Sequence, residues 1–139
     1  MMPPHWLANN FMKYRWLTLS YITLIILIIL AADMGHLNFT IRWIHSIRYG
    51  DKLGHFILVG MLAFVVNLNL GATRWRWWGW SVLKGSFIIF ILITLEEYSQ
   101  LFIASRHFDY GDLLSNYLGI LLLGHLAIYC TPQASNELN

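Results

Sequence analysis

Charged residues are scarce in this sequence, and cysteine and proline are nearly absent. Only 12% of the 139 residues are charged and 58% are apolar, whereas about 25% charged is usual for a soluble domain. So few charges cannot cover the surface of a small globule, and so apolar a chain is not intrinsically disordered. The single cysteine excludes an internal disulfide, and the net charge of +2 gives no basis for nucleic-acid binding. The composition therefore predicts an integral membrane protein.

Long apolar runs are what the sequence does contain. A bilayer core about 30 Å thick requires roughly 20 apolar residues in a helix, and four segments are long enough: about 17–35, 53–71, 79–102 and 112–130. The segment of about 38–49 is too polar to span, but its isoleucines recur at helical spacing, which predicts a short helix at the membrane surface. We therefore predict one all-α domain, 1–139: a bundle of four transmembrane helices plus a juxtamembrane amphipathic helix. Small residues four positions apart, as in Ser115 and Gly119, predict close helix packing.

The orientation follows from lysine and arginine near the helix ends. Chain order places both termini and the connection between the second and third spans on one side. That side carries five basic residues: Lys13, Arg15, Arg74, Arg76 and Lys84. The other side carries four, and the first helix usually dominates. We therefore expect an uncleaved first helix and a multi-pass protein with both termini in the cytoplasm.

Most of the polar residues that are costly in a membrane lie at two places, and chain order puts both on the side opposite the termini. Near the start of the second span they are Asp51, Lys52 and His55; around the third and fourth spans they are Glu96, Glu97, Gln100, Arg106, Asp109, Asp112 and Asn116. At 100° per residue, Asp51 shares a helix face with His55, and Asp112 shares one with Asn116. Helical spacing does not decide which of the two glutamates faces inward. The spacing predicts a polar site at this membrane face.

The same residues also have structural interpretations. Asp51 and Asp112 begin predicted helices and are candidate N-caps. Glu97 and Arg106 can form a partly buried ion pair that fixes the loop against the bundle. The two amides, Gln100 and Asn116, can hydrogen-bond between helices.

The ordered set of polar residues resembles the pattern of the VanZ family of small bacterial membrane proteins. That pattern has Asp-Lys-x-x-His at the start of one span, then Glu-x-x-Gln, an arginine, and Asp-x-x-x-Asn with a glycine shortly after. The matching residues are Asp51, Lys52, His55, Glu97, Gln100, Arg106, Asp112, Asn116 and Gly119. The resemblance covers about residues 17–130 and favours Glu97 over Glu96. It implies a protein of the bacterial cytoplasmic (inner) membrane and cell envelope, in a family whose name-giving member is associated with resistance to the glycopeptide antibiotic teicoplanin.

Three functions remain open. The first is binding of a polar or anionic headgroup of an envelope lipid or lipid-linked precursor, with Lys52 and Arg106 holding phosphate or carboxylate. The second is a small membrane enzyme that uses the carboxylates and His55 on a lipid-linked substrate; no serine or cysteine nucleophile motif accompanies them, and binding is favoured over catalysis. The third is a non-catalytic scaffold. The expected partners are membrane lipids, with no nucleic acid, and the oligomeric state is open.

We expect neither a metal nor another cofactor, because no cysteine and histidine spacing is typical of a zinc site. A metal held by Asp51, His55, Glu97 and Asp112 would need these residues to converge, which spacing alone does not show.

Overall fold

Five α-helices account for most of the computed structural model, which describes residues 5–104 and 106–131. They are α1 (His5–Asp33), α2 (Asn38–Ser46), α3 (Gly50–Asn69), α4 (Lys84–Ser99) and α5 (Tyr110–Cys130). A 3-10 turn, Gln100–Phe102, extends α4. Four of the helical segments are long and apolar enough to cross a membrane: Tyr14–Asp33, Gly50–Asn69, Lys84–Phe102 and Tyr110–Cys130. The predicted all-α membrane bundle is confirmed.

A two-stranded antiparallel hairpin separates α3 from α4, where the sequence predicts the start of a span. Its strands are β1 (Arg74–Trp77) and β2 (Trp80–Leu83), and Trp77 pairs with Trp80. The two residues between them, Trp78 and Gly79, both have positive φ, at 46° and 82°, as a two-residue hairpin turn requires. The predicted start at residue 79 is therefore wrong: the α-helix begins at Lys84. Alternating tryptophans favour a strand, where aromatic side chains pack well.

Helices α3 and α5 approach each other closely at two glycines. A methyl group added at Gly119 would lie 2.3 Å from the Phe56 carbonyl oxygen, and one added at Gly60 would lie 2.9 Å from the Gly119 carbonyl oxygen. Only residues without a Cβ allow two helix backbones to approach so closely. The close packing predicted from Ser115 and Gly119 is confirmed for Gly119.

The other helices pack around this pair through apolar contacts and a few polar ones. A buried cluster of Val59, Leu62, Ala63, Ile89, Ile93 and Ile120 joins α3, α4 and α5. The Tyr21 hydroxyl of α1 donates to the Leu58 carbonyl at 3.1 Å. Near the hairpin end of the bundle, the fully buried Asn67 side chain donates to Ser86 Oγ at 2.8 Å and accepts from the Ser86 amide at 3.1 Å. These bonds join the end of α3 to the start of α4.

Much of the outer surface of the bundle is apolar, as a lipid-facing surface must be. Leucine and isoleucine side chains on α1, α4 and α5 are about half exposed, among them Leu27, Leu92 and Leu121. At the hairpin, Trp78 and Trp80 are 94% and 78% exposed, and tryptophan is enriched where membrane meets water. The four candidate spans and this apolar surface indicate a multi-pass membrane protein.

Candidate functional site

A cavity of about 770 Å³ opens where α1 ends and where α3 and α5 begin. One wall is apolar and comes mainly from α1 and α3, including Ile25, Ile28, Ile29, Leu58 and Val59. The other wall is polar and contains Asp51, His55, Glu96, Gln100, Arg106, Asp109, Asp112 and Asn116. Helix ends separated along the chain thus place their polar residues in one volume, as the sequence predicts.

His55 lies at the centre of the polar residues and faces carboxylates from both ring nitrogens. Its Nδ1 is 3.2 Å from Asn116 Oδ1 and 3.5 Å from Glu97 Oε1. Its Nε2 is 3.9 Å from Asp51 Oδ1 and 3.8 Å from Asp112 Oδ2. Residues from α3, α4 and α5 therefore meet at one imidazole ring.

Glu97 is buried behind this ring, with only 1% of its surface exposed. Asn116 donates from Nδ2 to Glu97 Oε1 at 2.9 Å, so the interhelical hydrogen bond expected of Asn116 is confirmed. The other carboxylate oxygen, Oε2, is buried and has no hydrogen-bond partner within residues 5–104 and 106–131. Burying a carboxyl group with an unsatisfied oxygen is costly.

Lys52 joins the start of α3 to the start of α5. Its Nζ donates to Asp109 Oδ2 at 2.7 Å and to Asp112 Oδ1 at 3.0 Å. The pKa of the Asp109 carboxyl lies below its usual range because the Lys52 ammonium and the Gly111 amide donate hydrogen bonds to it. Through that second bond, at 2.7 Å, Asp109 is the N-cap of α5.

The two N-caps predicted from the sequence are therefore wrong. Asp112 lies inside the first turn of α5, three residues after the actual cap, Asp109. Asp51 is also inside its helix, since the N-cap position of α3 is Tyr49 and no side chain bonds there. Both aspartates line the cavity.

Arg106 crosses the cavity from the connection between α4 and α5 to the end of α1. Its guanidinium lies 3.3 Å from Asp33 Oδ1 and 3.7 Å from Glu96 Oε1. Gln100 donates to both carboxylate oxygens of Glu96 at 3.2 Å. The predicted ion pair between Glu97 and Arg106 is wrong, because Arg106 lies against Glu96 instead. The predicted interhelical bond of Gln100 is also wrong, because Gln100 bonds to Glu96 one turn earlier in the same helical segment.

The two adjacent glutamates thus have separate positions, and both face inward. Glu97 packs against His55 and Asn116, whereas Glu96 lines the cavity beside Gln100 and Arg106. The residues matched to the VanZ pattern include Glu97 but neither Glu96 nor Asp33. The doubled glutamate was the available signal for Glu96. No spacing rule could pair Asp33 with Arg106, because the two are 73 positions apart.

A comparison with models of known protein families finds a match. The sequence model of the VanZ/LLP1 family matches residues 3–131. The chain belongs to the VanZ/LLP1 family. The resemblance drawn from the polar residues is confirmed, and VanZ/LLP1 membership agrees with the four spanning helices. No curated protein and no solved structure matches the chain.

Acidic groups outnumber basic ones in the cavity of this VanZ/LLP1 protein. Among the described residues that line it, four are carboxylates, whereas Arg106 is the one lysine or arginine. Arg106 is itself shared between two carboxylates. Such a site can accept hydrogen bonds from hydroxyl and amine groups, donate from a guanidinium to a phosphate, and attract a cation.

Proposed function

We propose that this protein binds the headgroup of an envelope lipid or lipid-linked precursor at the outer face of the bacterial inner membrane. The observation that carries the proposal is the cavity, with its polar wall facing an apolar one. A lipid needs both environments side by side at the membrane boundary. The volume, about 770 Å³, falls within the roughly 300–1,000 Å³ of small-molecule sites.

The cavity residues have separate roles in this proposal. Arg106 holds the phosphate or carboxylate of the headgroup, because a guanidinium can donate two parallel hydrogen bonds to it. Lys52, already bonded to two aspartates, contributes positive charge at the rim. Asp51, Glu96 and Asp112 accept hydrogen bonds from hydroxyl or amine groups. The hydrocarbon chain lies along the apolar residues of α1, beginning at Ala32 and continuing through Ile29, Ile28 and Ile25.

Native mass spectrometry of protein released from detergent tests the proposal. The probes are phosphatidylglycerol and a polyprenyl phosphate, compared with a neutral diacylglycerol of matched chain length. We expect wild-type protein to retain one anionic lipid per chain and Arg106→Gln to retain it at least tenfold less. The matched control is Arg76→Gln, which removes the same charge from an exposed hairpin position. Equal retention by both variants, or equal retention of diacylglycerol, would contradict the proposal.

A link to teicoplanin resistance is a further part of this proposal. Strains that express wild-type, Arg106→Gln or Arg76→Gln protein at equal levels are compared for growth in teicoplanin. Loss of protection in Arg106→Gln alone supports the link, and equal growth of all three strains with an empty-vector strain refutes it.

Catalysis on a lipid-linked substrate is the second candidate, and the position of His55 favours it. The ring lies between Asp51 and Asp112 on one side and Glu97 on the other, a suitable arrangement for general acid–base chemistry. Product detection after incubation with the same polyprenyl phosphate distinguishes this candidate, since pure binding leaves the lipid unchanged. A scaffold role predicts instead that wild-type protein retains no lipid and that Arg106→Gln lowers the thermal stability of the protein.

A further inference from the structure

We infer that Asp51, His55 and Asp112 form a binding site for a divalent transition-metal ion. One possible ligand atom from each lies within 4.8 Å of the other two. This inference differs from the sequence expectation of no metal. It goes beyond headgroup binding and does not depend on it.

The hydrogen bonds of His55 determine which of its nitrogens can bind a metal. Asn116 donates from Nδ2 to Glu97, so its Oδ1 is the acceptor that faces His55 Nδ1 at 3.2 Å. Nδ1 therefore carries the proton that completes this bond, and in a neutral imidazole Nε2 then has a free lone pair. Metal-binding histidines are held in this way, with the second nitrogen donating to a protein oxygen.

The free lone pair faces two oxygens that cannot donate to it. Nε2 is 3.9 Å from Asp51 Oδ1 and 3.8 Å from Asp112 Oδ2, too far for a hydrogen bond. Neighbouring ligands around an ion with metal–ligand bonds of about 2.0–2.2 Å lie roughly 3–4 Å apart. Small side-chain movements therefore suffice to place an ion among the three atoms. The Lys52 ammonium bonds to the other oxygen of Asp112, Oδ1, which directs Oδ2 to the ion.

A buried carboxyl group with an unpartnered oxygen beside the three ligands is an independent reason to expect a cation. Glu97 is 1% exposed, its Oε1 lies 3.5 Å from the His55 ring, and its Oε2 has no hydrogen-bond partner in the described part of the chain. A divalent ion bound to Nε2 polarises the ring and strengthens the interaction of Nδ1–H with the Asn116 and Glu97 pair behind it.

The donor set indicates the class of metal. One imidazole and two carboxylates suit zinc or manganese, and three protein ligands leave a position for water or a phosphate oxygen. The cavity lies beside the cluster, since Asp51, His55 and Asp112 all line it. A bound anionic group can therefore reach the open position.

The experiment measures zinc binding in lipid-free detergent, so its result does not depend on headgroup binding. Protein purified through a non-histidine tag is stripped with a chelator, and Zn²⁺ is then titrated by calorimetry and counted by elemental analysis. We expect one Zn²⁺ per wild-type chain and at least tenfold weaker binding by Asp51→Asn and His55→Gln. The matched control, His107→Gln, alters an exposed histidine that lines the same cavity outside the three ligands and should bind as wild type does.

Thermal unfolding separates lost binding from lost folding. Zinc should raise the unfolding temperature of wild-type and His107→Gln protein, but not that of Asp51→Asn protein with native helical content. Absence of zinc uptake by folded wild-type protein overturns the inference, as does undiminished uptake by both ligand variants.

Discussion

Replacing Gly119 by alanine tests whether the contact between α3 and α5 positions the site. The added methyl would lie 2.3 Å from the Phe56 carbonyl oxygen and 3.1 Å from the Gly60 amide nitrogen. Both neighbours are backbone atoms, so no side chain can move aside. An ordinary contact requires at least 3.4 Å, and the two helices must therefore separate by about 1 Å.

The expected cost follows from this displacement. Overpacking costs about 1–3 kcal/mol, and the upper part of that range applies because backbone must move. Because alanine has a higher helix propensity than glycine, the substitution also stabilises the helix by up to about 1 kcal/mol. A separation of about 1 Å also lengthens the 3.2 Å contact between His55 and Asn116 beyond hydrogen-bond range, at about 0.6 kcal/mol. We expect a net loss of about 2 kcal/mol, or roughly a 30-fold change in the unfolding equilibrium.

Unfolding in mixed micelles with increasing SDS, followed by circular dichroism, measures this loss. The matched control is Gly54→Ala in α3, where an added methyl meets no atom within 4 Å and stability should be unchanged or slightly higher. Lipid retention by Gly119→Ala should fall as well, because the separation moves Asp51 of α3 away from Asp112 of α5 in the cavity. Wild-type stability and wild-type lipid retention in Gly119→Ala would refute the argument that this contact positions the site.

Two further predictions concern the ends of the bundle. The pKa of Asp109 is lowered in the folded protein. Its ion pair with Lys52 therefore stabilises the fold at pH values above the ordinary carboxyl pKa of 3.8. This stabilisation is lost as the pH falls through the lower pKa of the folded state. Because the Asp109 side chain is 49% exposed, wild type should exceed Asp109→Asn in stability by under about 1 kcal/mol at pH 7. SDS unfolding should show this difference shrink as the pH falls below 3.8; a constant difference would contradict this. The basic residues near the helix ends predict that both termini lie in the cytoplasm. The exposed Cys130, the single cysteine, should then react with a membrane-impermeant maleimide in inside-out vesicles but not in intact spheroplasts. Tyr110→Cys in a Cys130→Ser background should react in spheroplasts, and the opposite pattern would mean the opposite orientation.

Much of this fold could be predicted from the sequence, because spanning a bilayer imposes strict requirements on length and polarity. The four spans and the short helix before α3 follow from apolar runs and helical spacing. The hairpin between Arg74 and Leu83 was missed, since an apolar, tryptophan-rich segment beside a span has the composition of a helix end. Its strand character depends on the positive φ angles at Trp78 and Gly79, which hydropathy does not report.

The sequence predicts which polar residues lie at one membrane face, but not how they pair with one another. Chain order and helical spacing place polar groups at one face, and there the structure brings His55, Glu97 and Asp112 together. Spacing within one helix says nothing about which side chains meet between helices. The pairing of Arg106 with Asp33 and Glu96 depends on where the end of α1 lies.

The most direct test of headgroup binding is the distance between the Arg106 guanidinium and a lipid phosphorus atom. Solid-state NMR of protein with ¹⁵N-labelled arginine, reconstituted with an anionic lipid, measures this distance through ¹⁵N–³¹P dipolar coupling, and the Arg106→Gln spectrum identifies the Arg106 signal by difference. A bidentate hydrogen-bonded contact predicts a separation of about 4 Å. Absence of coupling at Arg106 in lipid-saturated, folded protein would contradict the proposal that this cavity holds a lipid headgroup.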